Sequence, residues 1–290
     1  MIKNLFILPF DHRSSFFKNI MGIKGKPSQK NIQQAKELKK IIFNGFLAGI
    51  QGFKNKKDFG ILIDEKTGDE IISKAKKEKI IICLPVEKSG HSFDFEYGNN
   101  FGEHIKKIKP NFIKALIRYN PENISLNKKQ LKKIKLLDDF CKKNKYPLII
   151  ELLVPPTPND LKIYGIKKYE QKIRIIKTIE AIKEIQNISI PTIWKLEGFN
   201  KKDWLKIIDT TRKSKIIVLG RGESTQNVIK WLSDASLFDE IIGFAVGRTV
   251  FAEPLISYLN GDISKNEASL WIAVKFSFFV DLWQKKKSTN

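Results

Sequence analysis

The sequence predicts an α/β fold in which eight parallel strands close into a (β/α)8 TIM barrel. Eight short apolar segments alternate with segments of helical spacing, and such alternation implies parallel strands joined by helical crossovers. Polar or charged residues follow nearly every apolar segment, as expected where the carboxyl ends of barrel strands form an active site. The length of 290 residues suits one barrel. We therefore expect a single domain, residues 1–290, with an extra C-terminal helix.

The predicted strands are short runs of aliphatic, β-branched and aromatic residues, the types that favour strands. In chain order they are Leu5–Phe10, Phe59–Ile63, Ile80–Leu84, Phe112–Ile117, Leu148–Leu153, Thr192–Leu196, Ile216–Leu219 and Ile241–Val246. A proline precedes the sixth strand, and glycine follows the seventh and the eighth. These residues mark the strand ends.

The predicted helices have apolar residues three and four positions apart. They are Gln29–Gln51, Asp69–Lys79, a short helix within Glu96–Lys109, Ser125–Asn144, Lys167–Gln186, Lys201–Lys213, Thr225–Ala235 and two C-terminal helices. Ser125 is expected to cap its helix, because a serine hydroxyl accepts a bond from a first-turn N–H group. The aromatic C-terminal helix is expected to close one end of the barrel, and the alternative is contact with a second copy in a homo-oligomer.

An open doubly wound sheet is the competing architecture for alternating strands and helices. No G-x-G-x-x-G motif follows the first predicted strand. Polar residues follow nearly all of the strands instead of clustering at one point where the strand order reverses. Both observations favour the closed barrel.

The net charge of +22 raises the question of a nucleic-acid or membrane partner. Only six of the 53 basic residues are Arg, and the lysines are spread along the helical segments. Nucleic-acid-binding proteins more often cluster Arg beside exposed aromatic side chains. We therefore expect solvated helix faces and no nucleic-acid partner. The positive field favours a phosphorylated small substrate.

Three observations bear on location. The apolar run near the start gives way to charged residues at Asp11 without a cleavage site, so we expect no signal peptide. Charged residues interrupt the apolar segment Ser269–Trp283, which falls short of the ~20 residues of a membrane span. Cys83 and Cys141 have no metal or redox spacing. We expect a cytoplasmic protein with reduced thiols and no membrane partner.

Lys195 lies within the predicted sixth strand, and Glu197 follows two positions later. Residues two apart in a strand face the same side, so these two side chains are expected to point together. A buried lysine loses hydration, which lowers its pKa and frees the amine to attack a carbonyl group. We hypothesise that Lys195 forms a Schiff base with a ketone substrate. The alternative is a lysine at a strand end whose amine reaches solvent.

In a barrel, the ionisable residues at the strand ends converge on one pocket. The expected set is Asp11, His12, Arg13, Asp64, Glu87, Lys88, Lys114, Arg118, Glu151, Lys195, Glu197, Arg221 and Arg248. Each of these could instead belong to a structural ion pair. Together they favour an active site, because separate strand ends deliver ionisable groups to the same place.

Two glycine–arginine loops follow the seventh and eighth strands, where barrels commonly hold a phosphate group. They are Gly220-Arg221-Gly222 and Gly247-Arg248. Glycine lets backbone N–H groups approach an anion closely, and the arginine fork binds phosphate oxygens. We therefore predict a phosphate site here. The alternative is two tight turns with surface arginines.

Metal and serine-hydrolase chemistry have little support in the sequence. The three histidines, His12, His91 and His104, have no metal-ligand spacing with each other or with the cysteines. No G-x-S-x-G nucleophile motif is present. We expect no metal and no other cofactor.

Eight motifs near the predicted strand ends occur in a characteristic order. They are Asp11-His12-Arg13, Ile61-Leu62-Ile63-Asp64, Glu87-Lys88-Ser89-Gly90, Ile113–Tyr119, Glu151–Pro158, Trp194-Lys195-Leu196-Glu197, Val218–Gly222 and Gly243–Thr249. Together these motifs resemble those of class I tagatose-1,6-bisphosphate aldolases. The resemblance is closer to the aldolase-like domain fused behind 5-dehydro-2-deoxygluconokinase in bacterial myo-inositol catabolism, and it extends from Leu5 to about Trp283.

The resemblance implies a class I aldolase that works without a metal, in which Lys195 matches the Schiff-base lysine. It implies that Lys114 and Glu151 lie near that lysine and that Arg248 with the preceding loop binds phosphate. The chain departs from the tagatose enzymes at His12 and at Gly220-Arg221-Gly222, which fits an altered substrate carrying a carboxylate.

The substrate expected from the resemblance is the phosphorylated sugar acid 6-phospho-5-dehydro-2-deoxygluconate, cleaved to dihydroxyacetone phosphate and malonate semialdehyde. Glu151, helped by Asp11, is the expected general base, and Lys114 is expected to favour the neutral amine of Lys195 by like-charge repulsion. Arg13 or Arg118 is expected to bind the far carboxylate. The alternatives are an aldolase for another ketose phosphate, such as tagatose 1,6-bisphosphate, and a non-catalytic sugar-phosphate-binding barrel.

Overall fold

The computed structural model describes residues 3–211 and 213–288. Eight parallel strands form a closed barrel in sequence order, and the last strand pairs with the first. The strands are β1 (Leu5–Pro9), β2 (Phe59–Leu62), β3 (Ile81–Pro85), β4 (Phe112–Arg118), β5 (Leu148–Leu153), β6 (Ile193–Glu197), β7 (Lys215–Leu219) and β8 (Ile241–Ala245). The predicted (β/α)8 fold is confirmed, and every predicted strand agrees with the observed one to within a residue or two.

Eleven α-helices lie in the part of the chain that the structure describes. They are α1 (Ser14–Asn19), α2 (Gln29–Gly49), α3 (Glu65–Lys77), α4 (Phe101–Ile108), α5 (Ile124–Asn144), α6 (Pro158–Lys168), α7 (Arg174–Gln186), α8 (Lys201–Thr211), α9 (Thr225–Ala235), α10 (Arg248–Asn260) and α11 (Lys265–Ser288). Short 3₁₀ turns occupy Lys56–Asp58 and Gly98–Asn100, and a π-helical turn, Tyr169–Ile173, joins α6 to α7. The sequence analysis missed α1 and α6. Arg212, in the predicted helix Lys201–Lys213, lies outside the described residues.

Two helices, α3 and α5, start earlier than predicted. α3 begins at Glu65 because the carboxylate of Asp64 accepts a bond from the backbone N–H of Thr67, at 3.1 Å. The prediction that Ser125 caps α5 is wrong. The carbonyl of Asn123 accepts a helical bond from Asn127 N–H at 2.8 Å, so Ser125 already lies inside the helix.

Alternate strand residues divide into two layers. Inward-facing side chains fill the lower part of the barrel with an apolar cluster. Its buried members are Leu5, Ile7, Leu62, Cys83, Phe112, Ile149, Ile193, Ile217, Ile242 and Ala245. The outward-facing residues pack against the surrounding helices in a larger core. The packed lower layer leaves space only toward the carboxyl ends of the strands, as is usual in TIM barrels.

The C-terminal helix packs against the side of the barrel and does not close its end as predicted. Trp283 meets Phe6 of β1 and Phe244 of β8, with ring centroids 6.4 and 6.3 Å apart. Gly45 of α2 lets α11 approach closely, since a Cβ there would lie 2.6 Å from the carbonyl oxygen of Ser269. None of the helices within 3–211 and 213–288 has the length and apolar character needed to span a membrane.

Candidate active site

A cavity of about 250 Å³ opens at the carboxyl ends of the strands. It is lined by every predicted site residue except Asp64 and Glu197: Asp11, His12, Arg13, Glu87, Lys88, Lys114, Arg118, Glu151, Lys195, Gly220, Arg221, Gly222, Gly247 and Arg248. These residues come from the ends of seven different strands or from the loops that follow them. The barrel geometry thus brings together side chains that are as distant in sequence as Asp11 and Arg248.

Lys195 and Glu151 are neighbours at the floor of the cavity. They are register partners on β6 and β5, so their side chains leave the sheet side by side. The Lys195 amine lies 2.9 Å from Glu151 Oε1, and the lysine is only 4% exposed. The burial predicted for Lys195 is present, and its amine faces the cavity and not open solvent.

Lys114 is surrounded by three carboxylates. Its ammonium lies 3.0 Å from Asp11, 2.8 Å from Glu87 and 2.8 Å from Glu151. Burial alone would lower the pKa of Lys114, but the three negative charges outweigh it and raise the pKa well above its usual value. Lys114 is therefore a permanent cation. The sequence analysis expected Lys114 to repel Lys195 directly. In the structure the carboxylate of Glu151 contacts both lysines and separates their charges.

Glu151 and Asp11 are ionised at neutral pH. Burial raises the pKa of Glu151, but Lys114 and Lys195 outweigh burial and lower it to about 2. Burial acts in the same way on Asp11, and Lys114, His12 and Lys195 together hold its pKa well below its usual range. A carboxylate held between two ammonium groups is a weak base until one of those positive charges is removed.

His12 is neutral at pH 7. Burial, which is stronger than the attraction of Asp11, lowers the pKa of His12 to about 4. Its ring packs edge-on against Phe251, with centroids 6.2 Å apart. Nδ1 is buried and has no hydrogen-bond partner among the described residues. A neutral ring with an unused polar nitrogen is suited to bind a hydroxyl group of a ligand in the cavity.

Arg248 begins α10 directly after β8. Its guanidinium donates one hydrogen bond, to the backbone carbonyl of Arg221 at 2.5 Å, and forms no ion pair within residues 3–211 and 213–288. Burial lowers the pKa of Arg248, with only a weaker opposing effect from Glu151. Gly222 lies against this group, and a Cβ there would come within 2.7 Å of the guanidinium carbon. A half-buried cation without a counter-ion, beside a glycine loop, is suited to bind an anion.

Arg221, unlike Arg248, is ion-paired with described residues. The prediction that both loops offer a free guanidinium is therefore wrong for Arg221. Its nitrogens lie 2.7 and 2.8 Å from the oxygens of Glu170 and 3.1 Å from Glu197. Glu197 also lies 3.5 Å from Arg174. Burial raises the pKa of Glu197, and the two arginines oppose this. Glu197 therefore holds the seventh loop in place, away from the cavity lining.

Arg13 or Arg118 was expected to bind the far carboxylate of the substrate, but of the two only Arg13 is already ion-paired with a described residue. Arg13 lies 3.0 Å from Glu96 and donates to the carbonyl of Glu87 at 2.5 Å. Arg118, at the end of β4, is exposed at the cavity mouth and forms no ion pair with a described residue. Arg118 is thus the better-placed of the two to meet an incoming anion.

Asp64 does not reach the cavity, although it follows a strand. It is 3% exposed and lies 2.6 Å from the amine of Lys39, between α2 and α3. The sequence analysis placed Glu87 in the pocket without a specific role. Its carboxylate accepts hydrogen bonds from the Lys114 ammonium at 2.8 Å and from the backbone N–H of Leu116 at 3.2 Å.

Metal-binding clusters are absent from the described ranges: no three His, Cys, Asp or Glu side chains within 3–211 and 213–288 are arranged to hold an ion. Lys114 lies where three carboxylates converge. Its ammonium and that of Lys195 are the two cations among the described residues that contact these carboxylates. His91 lies in a loop, and Nδ1 of His104 lies 3.2 Å from the carboxylate of Glu65.

Comparisons with known proteins identify a family and a fold. The sequence model of a family described as "Uncharacterized protein conserved in bacteria (DUF2090)" matches residues 1–287. No curated protein matches the chain.

Solved structures with similar barrels include Cgl0159 from Corynebacterium glutamicum, with a TM-score of 0.62 and 15% identity, over 94% of this chain and 85% of that one. A fructose-bisphosphate aldolase from Slackia heliotrinireducens has a TM-score of 0.59 and 8% identity, over 93% and 86% of the two chains. A Schiff-base-forming fructose-1,6-bisphosphate aldolase has a TM-score of 0.53 and 14% identity, over 90% and 95%. At these identities the likeness establishes the barrel fold.

Proposed function

The chain belongs to the DUF2090 family of bacterial proteins, and from the geometry of its cavity we propose that it is a class I aldolase. Such an enzyme breaks a carbon–carbon bond through a Schiff base between a lysine and a ketone. One observation carries the proposal: the buried amine of Lys195 lies 2.9 Å from Glu151, in a cavity that also contains the guanidinium of Arg248, which no described carboxylate pairs. Among the similar barrels is an aldolase whose description names a Schiff base, which supports the same chemistry here.

The proposed substrate is a phosphorylated keto-sugar acid, 6-phospho-5-dehydro-2-deoxygluconate. Arg248 and the N–H groups of the Gly220–Gly222 loop bind its phosphate. Arg118 meets its carboxylate at the opposite side of the mouth. The unused Nδ1 of His12 bonds a hydroxyl group between them. A cavity of about 250 Å³ is close to the lower end of small-molecule sites, which suits a compact sugar phosphate.

Bond cleavage follows Schiff-base formation. The neutral amine of Lys195 adds to the ketone carbon to give a carbinolamine. A proton taken up from solvent lets the hydroxyl group of the carbinolamine leave as water, and the product is a protonated imine. Glu151 removes the proton from the hydroxyl group on the second carbon from the imine. The electrons of that O–H bond form the aldehyde, and the pair from the breaking carbon–carbon bond moves into the iminium to give an enamine. Protonation of the enamine and hydrolysis then release dihydroxyacetone phosphate and restore Lys195.

The charge balance of the site changes in step with this reaction. While Lys195 is an ammonium or an iminium, its positive charge helps to keep the pKa of Glu151 low. The iminium becomes a neutral enamine as the carbon–carbon bond breaks. One of the two cations beside Glu151 is lost at that moment, so the carboxyl becomes a stronger base when it accepts the hydroxyl proton. Lys114 remains charged throughout and holds Glu151 and Asp11 in position.

Borohydride trapping tests the chemistry. The protein is incubated with each of 6-phospho-5-dehydro-2-deoxygluconate, tagatose 1,6-bisphosphate and fructose 1,6-bisphosphate, reduced, and mapped by peptide mass. We expect one reduced adduct, on Lys195, and its loss in Lys195→Ala. Lys215→Ala is a matched control, since Lys215 begins the next strand at the opposite end of the barrel. Absence of an adduct on Lys195 with every ketose contradicts the proposal, and binding without cleavage indicates a non-catalytic barrel.

A further inference from the structure

A second and larger cavity, of about 1230 Å³, lies beside the candidate active site. It is bounded by α1, the segment 23–27, the first turns of α2 and the loop after β3. Arg13, Lys88 and Ser89 line both cavities. Small-molecule sites usually measure about 300–1,000 Å³, so this cavity has room for a cofactor-sized ligand.

The charges around this cavity are predominantly positive. Seven cationic side chains line it, and among the described residues they face the single carboxylate of Glu96. They are Arg13, Lys18, Lys24, Lys26, Lys36, Lys66 and Lys88. The whole chain has 53 basic and 31 acidic residues, so the lining is far more one-sided than the composition explains.

Ion pairs neutralise only part of this charge. Glu96 contacts Arg13 at 3.0 Å and also pairs with Lys66, and Lys36 lies 2.8 Å from Asp69. The other four lysines form no ion pair with any residue in 3–211 or 213–288; they are Lys18, Lys24, Lys26 and Lys88. Unpaired ammonium groups around one concave surface repel each other and concentrate anions there.

The wall between these lysines is apolar. Phe17 is 8% exposed, and Ile23, Pro27 and Ile32 are partly buried around the same space. The first turn of α2 contains no acidic residue that would weaken the positive field. An apolar wall beneath a ring of lysines matches a ligand that is itself divided into an apolar part and an anionic part.

We propose that this cavity binds a phosphorylated ligand with an apolar or aromatic body, of the size of a nucleotide. The lysine ammonium groups contact its phosphates as point charges, and the apolar wall covers its body. The site uses neither Lys195 nor Arg248. The proposal therefore does not depend on the aldolase proposal, although Arg13, Lys88 and Ser89 line both cavities.

Calorimetric titration with ADP at constant ionic strength tests the site, with adenosine and pyrophosphate as the two halves of the probe. We expect ADP to bind at least about tenfold more tightly than either half. Lys24→Glu with Lys26→Glu is expected to weaken ADP binding by about tenfold or more. Lys128→Glu with Lys129→Glu makes the same charge change on the exposed face of α5, and affinity there is expected to stay within about twofold.

Several results would overturn the proposal. If both double variants weaken ADP binding equally, ADP is attracted by the overall positive charge of the protein and not by this cavity. If pyrophosphate binds as tightly as ADP, the apolar wall does not contribute to the affinity. Loss of ADP binding in a Lys195→Ala, Arg248→Ala variant places the probe in the catalytic cavity. Failure of the wild-type protein to bind ADP also overturns it. All four lysines of the double variants are exposed, and thermal unfolding confirms that the variants are folded.

Discussion

Glu170 holds the guanidinium of Arg221 through two hydrogen bonds, 2.7 and 2.8 Å long. Arg221 has a positive φ of 53°, a conformation that is uncommon for a non-glycine residue. The backbone carbonyl of Arg221 accepts the single hydrogen bond that the Arg248 guanidinium makes with described residues. The Glu170–Arg221 pair therefore positions the proposed phosphate-binding arginine from a distance.

Glu170→Ala tests this positioning role. Without the carboxylate, the Arg221 loop loses its anchor, and we expect KM for a phosphorylated ketose to rise about five- to twentyfold with little change in kcat. Steady-state kinetics provide the measurement. Glu180→Ala removes an exposed carboxylate from the neighbouring helix α7 and is expected to leave KM unchanged. Equal effects of the two variants, or a loss confined to kcat, would show that Glu170 does not act through this loop.

Gly222→Ala tests the phosphate loop itself. Gly222 has a φ of +79°, and an added Cβ would lie 2.7–2.9 Å from the Arg248 guanidinium. We expect inhibition by inorganic phosphate to weaken about tenfold or more, because the guanidinium must move. Gly22→Ala is a matched control, since Gly22 has a φ of +67° but an added Cβ there would meet no described atom within 4 Å. If Gly22→Ala weakens phosphate inhibition as much, backbone strain alone explains the result.

Lys114→Met tests the buried charge cluster. The substitution leaves Asp11, Glu87 and Glu151 without their shared cation, and removing one partner of a buried ion pair typically costs ~3–5 kcal/mol of stability. The carboxylates then regain stability by taking up protons, so we expect the deficit to shrink as the pH falls from 7 to 5. Urea unfolding at the two pH values provides the measurement. A deficit that stays constant or grows at pH 5 contradicts the expectation.

His12→Asn tests the neutral histidine. The pKa of His12 is about 4 in the folded protein and 6.5 in an ordinary environment, so the unfolded chain takes up a proton first as the pH falls. The neutral ring therefore contributes stability that is fully present above pH 6.5 and is lost as the pH falls toward 4. We expect the wild-type protein to lose more stability than the variant between pH 7 and 5. Chemical unfolding of both proteins across this pH range provides the measurement. If the two proteins lose the same free energy of unfolding, His12 is not held neutral by its surroundings.

The sequence alone determined the barrel and the floor of its site. The β-branched and aromatic runs specified the strands, and alternation along β6 placed Lys195 toward the cavity, because strand geometry depends on near neighbours in sequence. Lys195 and Glu151 were expected in one pocket, since parallel strands of a barrel bring their carboxyl ends together. Their closeness to each other was implied by the resemblance to class I aldolases.

Only the tertiary structure decided which charges remain free. Arg221 and Arg248 both follow a strand and a glycine, yet Glu170 neutralises the first and no described carboxylate pairs with the second. Asp64 also follows a strand, but it caps α3 and binds Lys39, 25 positions away. Whether a charged side chain is paired depends on residues that are distant in sequence and adjacent in space. Periodicity reports the direction in which a side chain leaves the backbone, and the partner that it meets is set by packing.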